Sequence, residues 1–308
     1  MRKNGTVLLA APMQDGQTFP GIKFAFEQLG WKVYSVDAKI EPDKTYSEYN
    51  RIHPHLVICS RTPELTNEIK KIKENHEKSR VICYNTDKRP EMYYWEPLFE
   101  LFSTVDYLLD PTPGQHEIFK EKLNKNTIKF PQGLQSELYH MADYIPRNIS
   151  EYQQQVSFIG TYPSNFHKDR DEIIKHVSDN TDKFAVYTNM WGEAHNFICN
   201  PYVSKICLDV GIMTDIESYM SVRLYKILGA GGFALVKDSV GCHTLYPGGI
   251  FATYKDKYDC VDKIKYYLEN EQERISIAQN GYDWVQTQTY KDRVRELLGR
   301  CFNNQRSK

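Results

Sequence analysis

Residues 221–236 have the sequence SVRLYKILGAGGFALV, which predicts a helix, a glycine turn and a strand in immediate succession. The leucines and isoleucine at its start recur at helical spacing. The glycines within 229–232 can adopt the positive φ that ends a helix, and 233–236 is an apolar run of strand length. Arg223 and Lys226 lie near the N-terminus of this helix, where backbone N–H groups and two cations favour a phosphate-bearing ligand. An ordinary helix–strand junction fits the same stretch.

Composition restricts the class of protein. The chain has 308 residues, of which 41% are hydrophobic and 26% charged, and its formal net charge is −1. These values describe a globular protein long enough for two domains. A net charge so near zero disfavours a broad surface for nucleic acid or anionic lipid, although a narrow basic groove stays open. Lys70, Lys71 and Lys73 either line such a groove or form a solvated helix face.

Cysteine usage and hydropathy give the expected compartment. The seven cysteines are scattered and never spaced as C-x-x-C, so we expect reduced core residues. Arg2 and Lys3 precede a short apolar run that Pro12 and Asp15 interrupt, which favours a first strand over a signal peptide. No segment approaches the roughly 20 apolar residues of a membrane-spanning helix. The expectation is a cytoplasmic protein.

Strand-length apolar runs alternate with polar or amphipathic segments along the chain. In the first half they are 6–11, 32–36, 56–59, 81–84, 105–109 and 127–130. In the second half they are 156–159, 184–187, 205–209, 233–236 and 249–253. This alternation predicts parallel, doubly wound sheets that bind ligands at the carboxyl ends of their strands.

The chain becomes polar and irregular between the two series of strands, which predicts a linker at that point. We therefore expect a Rossmann-like domain over 1–145, a linker over 146–155 and a second Rossmann-like domain over 156–285. The helix within 286–308 is expected to pack back on the first domain. Two such domains would face a cleft, which is where ligand sites favour forming.

The second half also contains an ordered series of short motifs. They are Ser157-Phe158-Ile159-Gly160, Arg170, the stretch 221–233, Ile264-Lys265-Tyr266-Tyr267-Leu268, Glu273-Arg274, Ile277-Ala278, Gly281, Thr289-Tyr290 and Arg293. A weaker set in the first half comprises Asn85-Thr86-Asp87 and the residues 129–133. Together they resemble glycosyltransferases of the GT-B architecture, and particularly the group related to the spore maturation protein CgeB.

The resemblance implies an α/β fold of GT-B type, with two Rossmann-like doubly wound parallel-sheet domains facing a cleft and C-terminal helices. It also implies a hexosyltransferase that moves a sugar from a nucleotide diphosphate sugar, a UDP-hexose being favoured, to an acceptor hydroxyl. The second domain would hold the donor, and the first would hold the acceptor. Such enzymes need neither a bound metal nor another cofactor. Consistently, no D-x-D follows a strand, and the spacing of histidines and cysteines predicts no metal cluster.

Seven residues are predicted to contact the donor through the resemblance. They are Gly160, Arg170, Trp191, Ser221, Arg223, Lys226 and Gly232. A guanidinium group can bind a diphosphate bidentately, so both arginines are candidates to bind the diphosphate of the donor. Other interpretations stay open: Arg170 pairs with Asp171 or Glu172 on the surface, Lys226 faces solvent, and Ser221 only caps its helix. The glycines would then be turn residues, and the tryptophan would be a core residue.

Two carboxylates of the first domain are predicted to act in catalysis, as a general base or by stabilising charge. Asp15 follows the first predicted strand and Asp87 follows the strand at 81–84. A carboxylate in a water-poor cleft has its pKa raised toward a useful value. Alternatively, Asp15 is a turn residue, and Asp87 is neutralised by the basic residues that follow it.

One position departs from the larger retaining GT-B families, which have a ribose-binding glutamate where this chain has Lys226. Two other functions therefore stay open: a nucleotide-sugar epimerase of the same fold, and a catalytically silent assembly protein that retains the fold. The acceptor is also open, with another sugar, a protein, a small metabolite and a hydroxylated DNA base as the alternatives.

Overall fold

The chain is divided into two compact units, each built on its own parallel sheet. The computed structural model describes residues 5–14, 17–86, 96–111, 116–125, 127–139, 154–164, 168–188, 204–211, 214, 217 and 220–303. The first unit comprises Met1–Gln132 and Tyr290–Lys308, and the second comprises Gly133–Thr289. The predicted linker over 146–155 lies mostly outside the described residues, and its last two residues already belong to a strand.

The first unit contains a six-stranded sheet in which every strand is parallel to its neighbours. Its strands are β1 (Thr6–Ala11), β2 (Lys32–Asp37), β3 (Leu56–Ser60), β4 (Val81–Tyr84), β5 (Tyr107–Asp110) and β6 (Thr127–Lys129). They are ordered β2-β1-β3-β4-β5-β6. Side chains of β1 alternate between two cores, with Val7 and Leu9 on one face and Leu8 and Ala10 on the other. Because both faces are buried, the central strands β1, β3 and β4 have nearly continuous apolar sequences.

Helices cover both faces of this sheet. They are α1 (Thr18–Gln28), α2 (Lys44–Ile52), α3 (Thr66–Asn75), α4 (Glu96–Thr104) and α5 (His116–Leu123), with a single 3₁₀ turn at Pro63–Leu65. The three lysines of α3 each pair with a carboxylate: Lys70 with Glu100, Lys71 with Glu68 and Lys73 with Asp106. The lysines of α3 are therefore paired charges, exposed for Lys70 and Lys71 and partly buried for Lys73.

The second unit contains a five-stranded sheet, also parallel throughout. Its strands are β7 (Gln154–Ile159), β8 (Phe184–Tyr187), β9 (Ser204–Asp209), β10 (Ala234–Lys237) and β11 (Ala252–Tyr254), in the order β11-β10-β9-β7-β8. The last strand is shorter than the predicted 249–253, because the chain turns at Gly249 with a φ of 76°. Its remaining strands lie within two residues of their predicted bounds.

One helix of the second unit precedes its first strand, and the others in the described ranges follow its strands. They are α6 (Ser136–Tyr139), α7 (Lys168–Asn180), α8 (Val222–Gly229), α9 (Cys242–Leu245), α10 (Lys257–Glu269) and α11 (Glu271–Val285). The last helix, α12 (Tyr290–Asn303), contributes Val294, Leu297 and Leu298 to the core of the first unit, where they pack with residues of α1. The chain therefore returns to the first unit at its end.

Two further findings bear on the sequence predictions. The cysteines at 59, 83, 207, 242, 260 and 301 are all buried and free of disulfide bonds. No helix in the described ranges is both long enough and apolar enough to cross a membrane.

Candidate functional site

The strand order of the second sheet reverses between β7 and β9, which are adjacent in the sheet but not consecutive in the chain. In open α/β sheets, ligands bind outside the carboxyl ends of the strands at such a switch point. β7 ends at Ile159, followed by Gly160, and β9 ends at Asp209. The topology of the sheet therefore predicts a ligand site beside these residues and α8, which follows β9 in the described chain.

The predicted helix, glycine turn and strand at 221–236 are confirmed. The N–H of Gly231 donates to the carbonyl of Leu228, and the N–H of Gly232 donates to the carbonyl of Ile227, both at 2.9 Å. Gly231 has a φ of 75°. These two bonds form a Schellman motif, which ends α8 and turns the chain into β10. Gly232 is buried, and its N–H group serves this turn.

Arg223 is held by bonds within the protein. Its Nε donates to the carbonyl oxygen of Ile159 at 2.7 Å, and its Nη1 donates to Oδ1 of Asp209 at 2.6 Å. Arg223 and Asp209 are both buried. Of the guanidinium nitrogens, Nη2 makes no hydrogen bond within the described structure. Arg223 is therefore the cationic half of a buried ion pair that connects α8 to the ends of β7 and β9.

Ser221 also bonds the carboxylate of this ion pair. It occupies the N-cap position of α8, but its hydroxyl bonds no backbone N–H of the helix. The hydroxyl donates instead to the Asp209 carboxylate, whose two oxygens lie at 3.0 and 2.9 Å. The interpretation of Ser221 as a simple side-chain cap is thus wrong. Asp209 accepts bonds from two residues predicted to contact the donor.

The ring of Phe158 on β7 lies beside two guanidinium groups. The Arg223 group is 4.9 Å from the ring centroid, and the Arg170 group is 5.8 Å away. Nη2 of Arg170 also donates to the carbonyl oxygen of Val210 at 3.2 Å. Such cation–π contacts strengthen when they are desolvated, as they are here. The fold thus gathers two arginines that are 53 residues apart in the sequence.

Arg170 is not a surface residue. It is the third residue of α7 and is buried, with 8% of its surface exposed. The acidic neighbours that were the alternative partners are used elsewhere: Asp171 accepts the N–H of Ser164 and Glu172 pairs with Lys257. The interpretation as a solvent-exposed pair is therefore wrong.

Lys226 lies on α8 one turn beyond Arg223 and is only 3% exposed. The alternative that it faces solvent is wrong. Burial, together with the nearby positive charge of Arg223, lowers the pKa of its ammonium group to about 7. A bound anion would oppose both effects, because opposite charge favours the protonated form.

Gly160 is required by the close approach of two side chains. A Cβ atom at this position would lie 2.7 Å from Nη2 of Arg223 and 2.8 Å from Cζ of Phe158. The N–H of Gly160 donates to the carbonyl of Tyr187 at 3.0 Å, so its backbone is fixed as well. The glycine therefore leaves room for Nη2 at the end of β7.

The main residue that the sequence predictions missed is Asp209. It carried a usable signal, because it ends the predicted strand at 205–209 just as Asp15 and Asp87 follow theirs. What the sequence does not give is its pairing with Arg223, which depends on the adjacency of β7 and β9. The predicted residues Asp15, Asp87 and Trp191 lie outside the described residues.

The carboxyl edge of the first sheet has a different character. Asn85, which follows β4, is fully buried, and neither atom of its side-chain amide has a hydrogen-bond partner in the described part of the chain. The side-chain amide of Gln132 is bonded at both ends: its Nε2 donates to the carbonyl of Thr86 at 3.0 Å, and its Oε1 accepts the Tyr290 hydroxyl at 2.7 Å. His116 approaches Asp110 at 3.6 Å.

The chain resembles known proteins in two ways. Residues 167–299 match a family model described as glycosyl transferase-like. No match was found among curated protein sequences. A crystal structure of HepE from Anabaena in complex with UDP aligns with a TM-score of 0.64 at 10% identity, covering 96% of this chain and 99% of that chain. The fold is GT-B.

Other solved structures align over most of the chain. The sucrose-phosphate synthase of Thermosynechococcus elongatus has a TM-score of 0.64 at 9% identity, and covers 98% of this chain and 100% of that chain. A putative UDP-N-acetylglucosamine 2-epimerase from Listeria monocytogenes has a TM-score of 0.53 at 10% identity, with coverages of 90% and 91%. At such identities the likeness establishes the fold, and the predicted fold class is confirmed.

Proposed function

We propose that this protein is a glycosyltransferase that moves a sugar from a nucleotide diphosphate sugar, favouring a UDP-hexose, to an acceptor hydroxyl. The observation that carries the proposal is the convergence of Arg170 and Arg223 on Phe158 at the switch point of the second sheet. The glycosyl transferase-like match covers both arginines, and HepE was crystallised with UDP. The closer relation to the CgeB group is part of this proposal.

Departure of the diphosphate sets the chemical requirement. Cleavage of the bond between the sugar and the diphosphate leaves negative charge on the phosphate oxygens, which fixed donors stabilise in a water-poor site. We assign this role to Arg170, to Nη2 of Arg223 and to the ammonium of Lys226. Three cations of this kind would allow transfer without a metal ion. Asp15 or Asp87 would accept the proton of the acceptor hydroxyl as it attacks the sugar.

The contacts of Arg223 refine that assignment. Because its Nε and Nη1 already bond Ile159 and Asp209, Arg223 has one nitrogen to offer and cannot bind the diphosphate bidentately without losing its ion pair. Arg223 would mainly provide a fixed positive charge in a geometry that Asp209 and Gly160 maintain.

A nucleotide-sugar epimerase is the second candidate, favoured by the alignment with the putative epimerase from Listeria. It would hold the same donor but act on the sugar without transferring it. A silent assembly protein that only retained the fold is the third. The acceptor of a transferase stays open among a sugar, a protein, a small metabolite and a hydroxylated DNA base. Lys70, Lys71 and Lys73 of α3 are each paired with a carboxylate, which disfavours this lysine run as a DNA-binding surface.

Calorimetric titration with UDP, followed by incubation with a panel of nucleotide diphosphate sugars, tests the proposal. A transferase should bind UDP and release it from one donor, slowly to water and faster when an acceptor mixture is added. An epimerase would instead yield an epimer with the nucleotide still attached. Failure to bind any nucleotide diphosphate would contradict both enzymes and favour the silent protein.

Arginine variants locate the site. Replacing Arg170 with alanine should lower the rate of donor cleavage roughly 10²–10³-fold, as removal of one charge-stabilising donor does in other enzymes. Arg51→Ala is the matched control, because Arg51 is an exposed arginine of the first unit that contacts Glu48 and the ring of Tyr34. Wild-type turnover in a folded Arg170→Ala variant would place the donor elsewhere.

A further inference from the structure

Three potential metal ligands meet just after β10, where the sequence spacing predicts none. Asp238 follows the strand, the chain turns through Gly241 with a φ of 74°, and α9 then begins at Cys242 and His243. Sγ of Cys242 lies 3.2 Å from Oδ1 of Asp238, and Nε2 of His243 lies 3.2 Å from the same oxygen. All three ligand atoms lie within 4.8 Å of one another.

These separations suit a tetrahedral ion. With bond lengths of about 2.0 Å to oxygen and nitrogen and about 2.3 Å to sulfur, ligand atoms around tetrahedral zinc are roughly 3.3–3.6 Å apart. Both measured distances are close to that range. The short turn at Gly241 explains the arrangement, because a left-handed residue reverses the chain and brings positions 242 and 243 back over position 238.

Access and chemistry agree with the geometry. The side chains of His243 and Asp238 are 64% and 34% exposed, so both can meet an ion from solvent. Cys242 is buried, and its sulfur faces the Asp238 carboxylate. A thiolate with an imidazole selects zinc or a similar soft transition metal over magnesium and calcium, which require oxygen ligands. The two groups come from adjacent residues, and the carboxylate lies four residues earlier.

We propose that Asp238, Cys242 and His243 bind one Zn²⁺ ion. On binding, the Cys242 thiol loses its proton to solvent, and the thiolate sulfur and the unprotonated Nε2 of a neutral His243 imidazole each donate a lone pair. Asp238 exchanges its hydrogen bond from Cys242 and its contact with His243 for one coordinate bond. A fourth position stays open to water. The ion would join the segment after β10 to α9. It lies on none of the residues assigned to the diphosphate, so the proposal stands apart from the proposed transfer.

Zinc titration of chelator-treated, full-length protein is the first test. We expect one Zn²⁺ per chain by calorimetry and no comparable binding of Mg²⁺. Co²⁺ should replace zinc and give an absorption band from thiolate-to-metal charge transfer, which reports sulfur ligation directly in the wild-type protein. Absence of stoichiometric zinc binding, equal binding of Mg²⁺, or a cobalt spectrum without that band would overturn the proposal.

Variants identify the ligands. Cys242→Ser and His243→Ala should each weaken zinc binding at least tenfold, and Cys242→Ser should abolish the cobalt band. His176→Ala, which removes a histidine of α7 from the same unit, should change neither measurement. If Cys242→Ser unfolds, His243→Ala and the wild-type cobalt spectrum still decide the question, because His243 is exposed. Unchanged zinc affinity in His243→Ala would refute this ligand set.

Discussion

The carboxyl edges of the two sheets differ in how their polar groups are satisfied. At the second sheet, Ser221 and Arg223 both donate hydrogen bonds to Asp209, and a glycine leaves room for the arginine. In the first sheet, the buried amide of Asn85 has no partner among the described residues, although Gln132 nearby bonds at both ends. The edge of the second sheet holds charged groups in place before a ligand arrives. The edge of the first sheet has a neutral donor and acceptor, on Asn85, that lack partners among the described residues.

This difference suits two kinds of ligand. An anion is best met by cations whose geometry is already fixed, because no reorganisation is then needed as charge develops. A neutral hydroxyl requires a donor and an acceptor, which a single amide supplies. The comparison therefore agrees with a diphosphate at the second sheet and a hydroxyl-bearing molecule at the first. Four substitutions test it, in decreasing order of expected effect.

Removal of Arg223 should have the largest effect. Arg223→Ala leaves Asp209 as a buried carboxylate without its ionic partner, which typically costs about 3–5 kcal/mol. The free energy of unfolding, measured in denaturant, should fall by that amount, and UDP binding should be lost. The double variant with Asp209→Leu and Arg223→Met removes both charges. It should recover much of the stability but not the binding of UDP. Equal stability of Arg223→Ala and wild type would contradict the ion pair.

Substitution of Gly160 should have the next largest effect. The added Cβ of Gly160→Ala would meet the Arg223 and Phe158 side chains well inside normal contact, and overpacking of this kind costs about 1–3 kcal/mol. Gly211→Ala is the control at the end of the neighbouring strand, since its nearest contact would be an ordinary 3.8 Å to Thr214. Thermal unfolding should separate the two variants. If they are equally stable, the cluster is looser than described.

These two glycines illustrate what the sequence predicts and what it does not. Apolar runs and glycine turns suffice for the strands and for the end of α8, because those depend on local propensity and burial. The contact between Gly160 and Arg223, and the pairing of Asp209 with Arg223, depend on strand adjacency. Burial of Lys226 likewise follows from packing of α8, which helical spacing alone left undecided. The motif order implied the fold correctly, since the same units must occur in the same succession.

Lys226 should make UDP binding depend on pH. Its folded-state pKa of about 7 lies below the ordinary value of 10.5, so the unfolded chain binds more protons between these values and stability rises with pH there. Binding of a diphosphate favours the charged form, so affinity for UDP should fall above pH 7 by up to about tenfold per pH unit. Calorimetry in buffers of different ionisation enthalpy should detect the accompanying proton uptake.

The control for this titration is Lys226→Met, which should bind UDP more weakly and without that pH dependence. Lys226→Arg keeps its charge across the whole range, so its affinity should also be flat, but at a higher level if the longer side chain is accommodated. An unchanged pH profile in Lys226→Met would show that another group titrates, and would remove Lys226 from the donor site.

Substitution of Asn85 should change the free energy of unfolding least, and the sign of that change is the informative result. Asn85→Leu replaces a buried amide that lacks partners by an apolar group of similar size, so the free energy of unfolding should rise by on the order of 1 kcal/mol. Gln132→Met is the matched control, because it breaks bonds to Thr86 and Tyr290 and should destabilise the same unit. If Asn85 serves a hydroxyl-bearing ligand, the leucine variant will be more stable yet less active in transfer. A loss of stability would instead mean that the amide is already satisfied in the folded protein, and the contrast between the two sheet edges would fail.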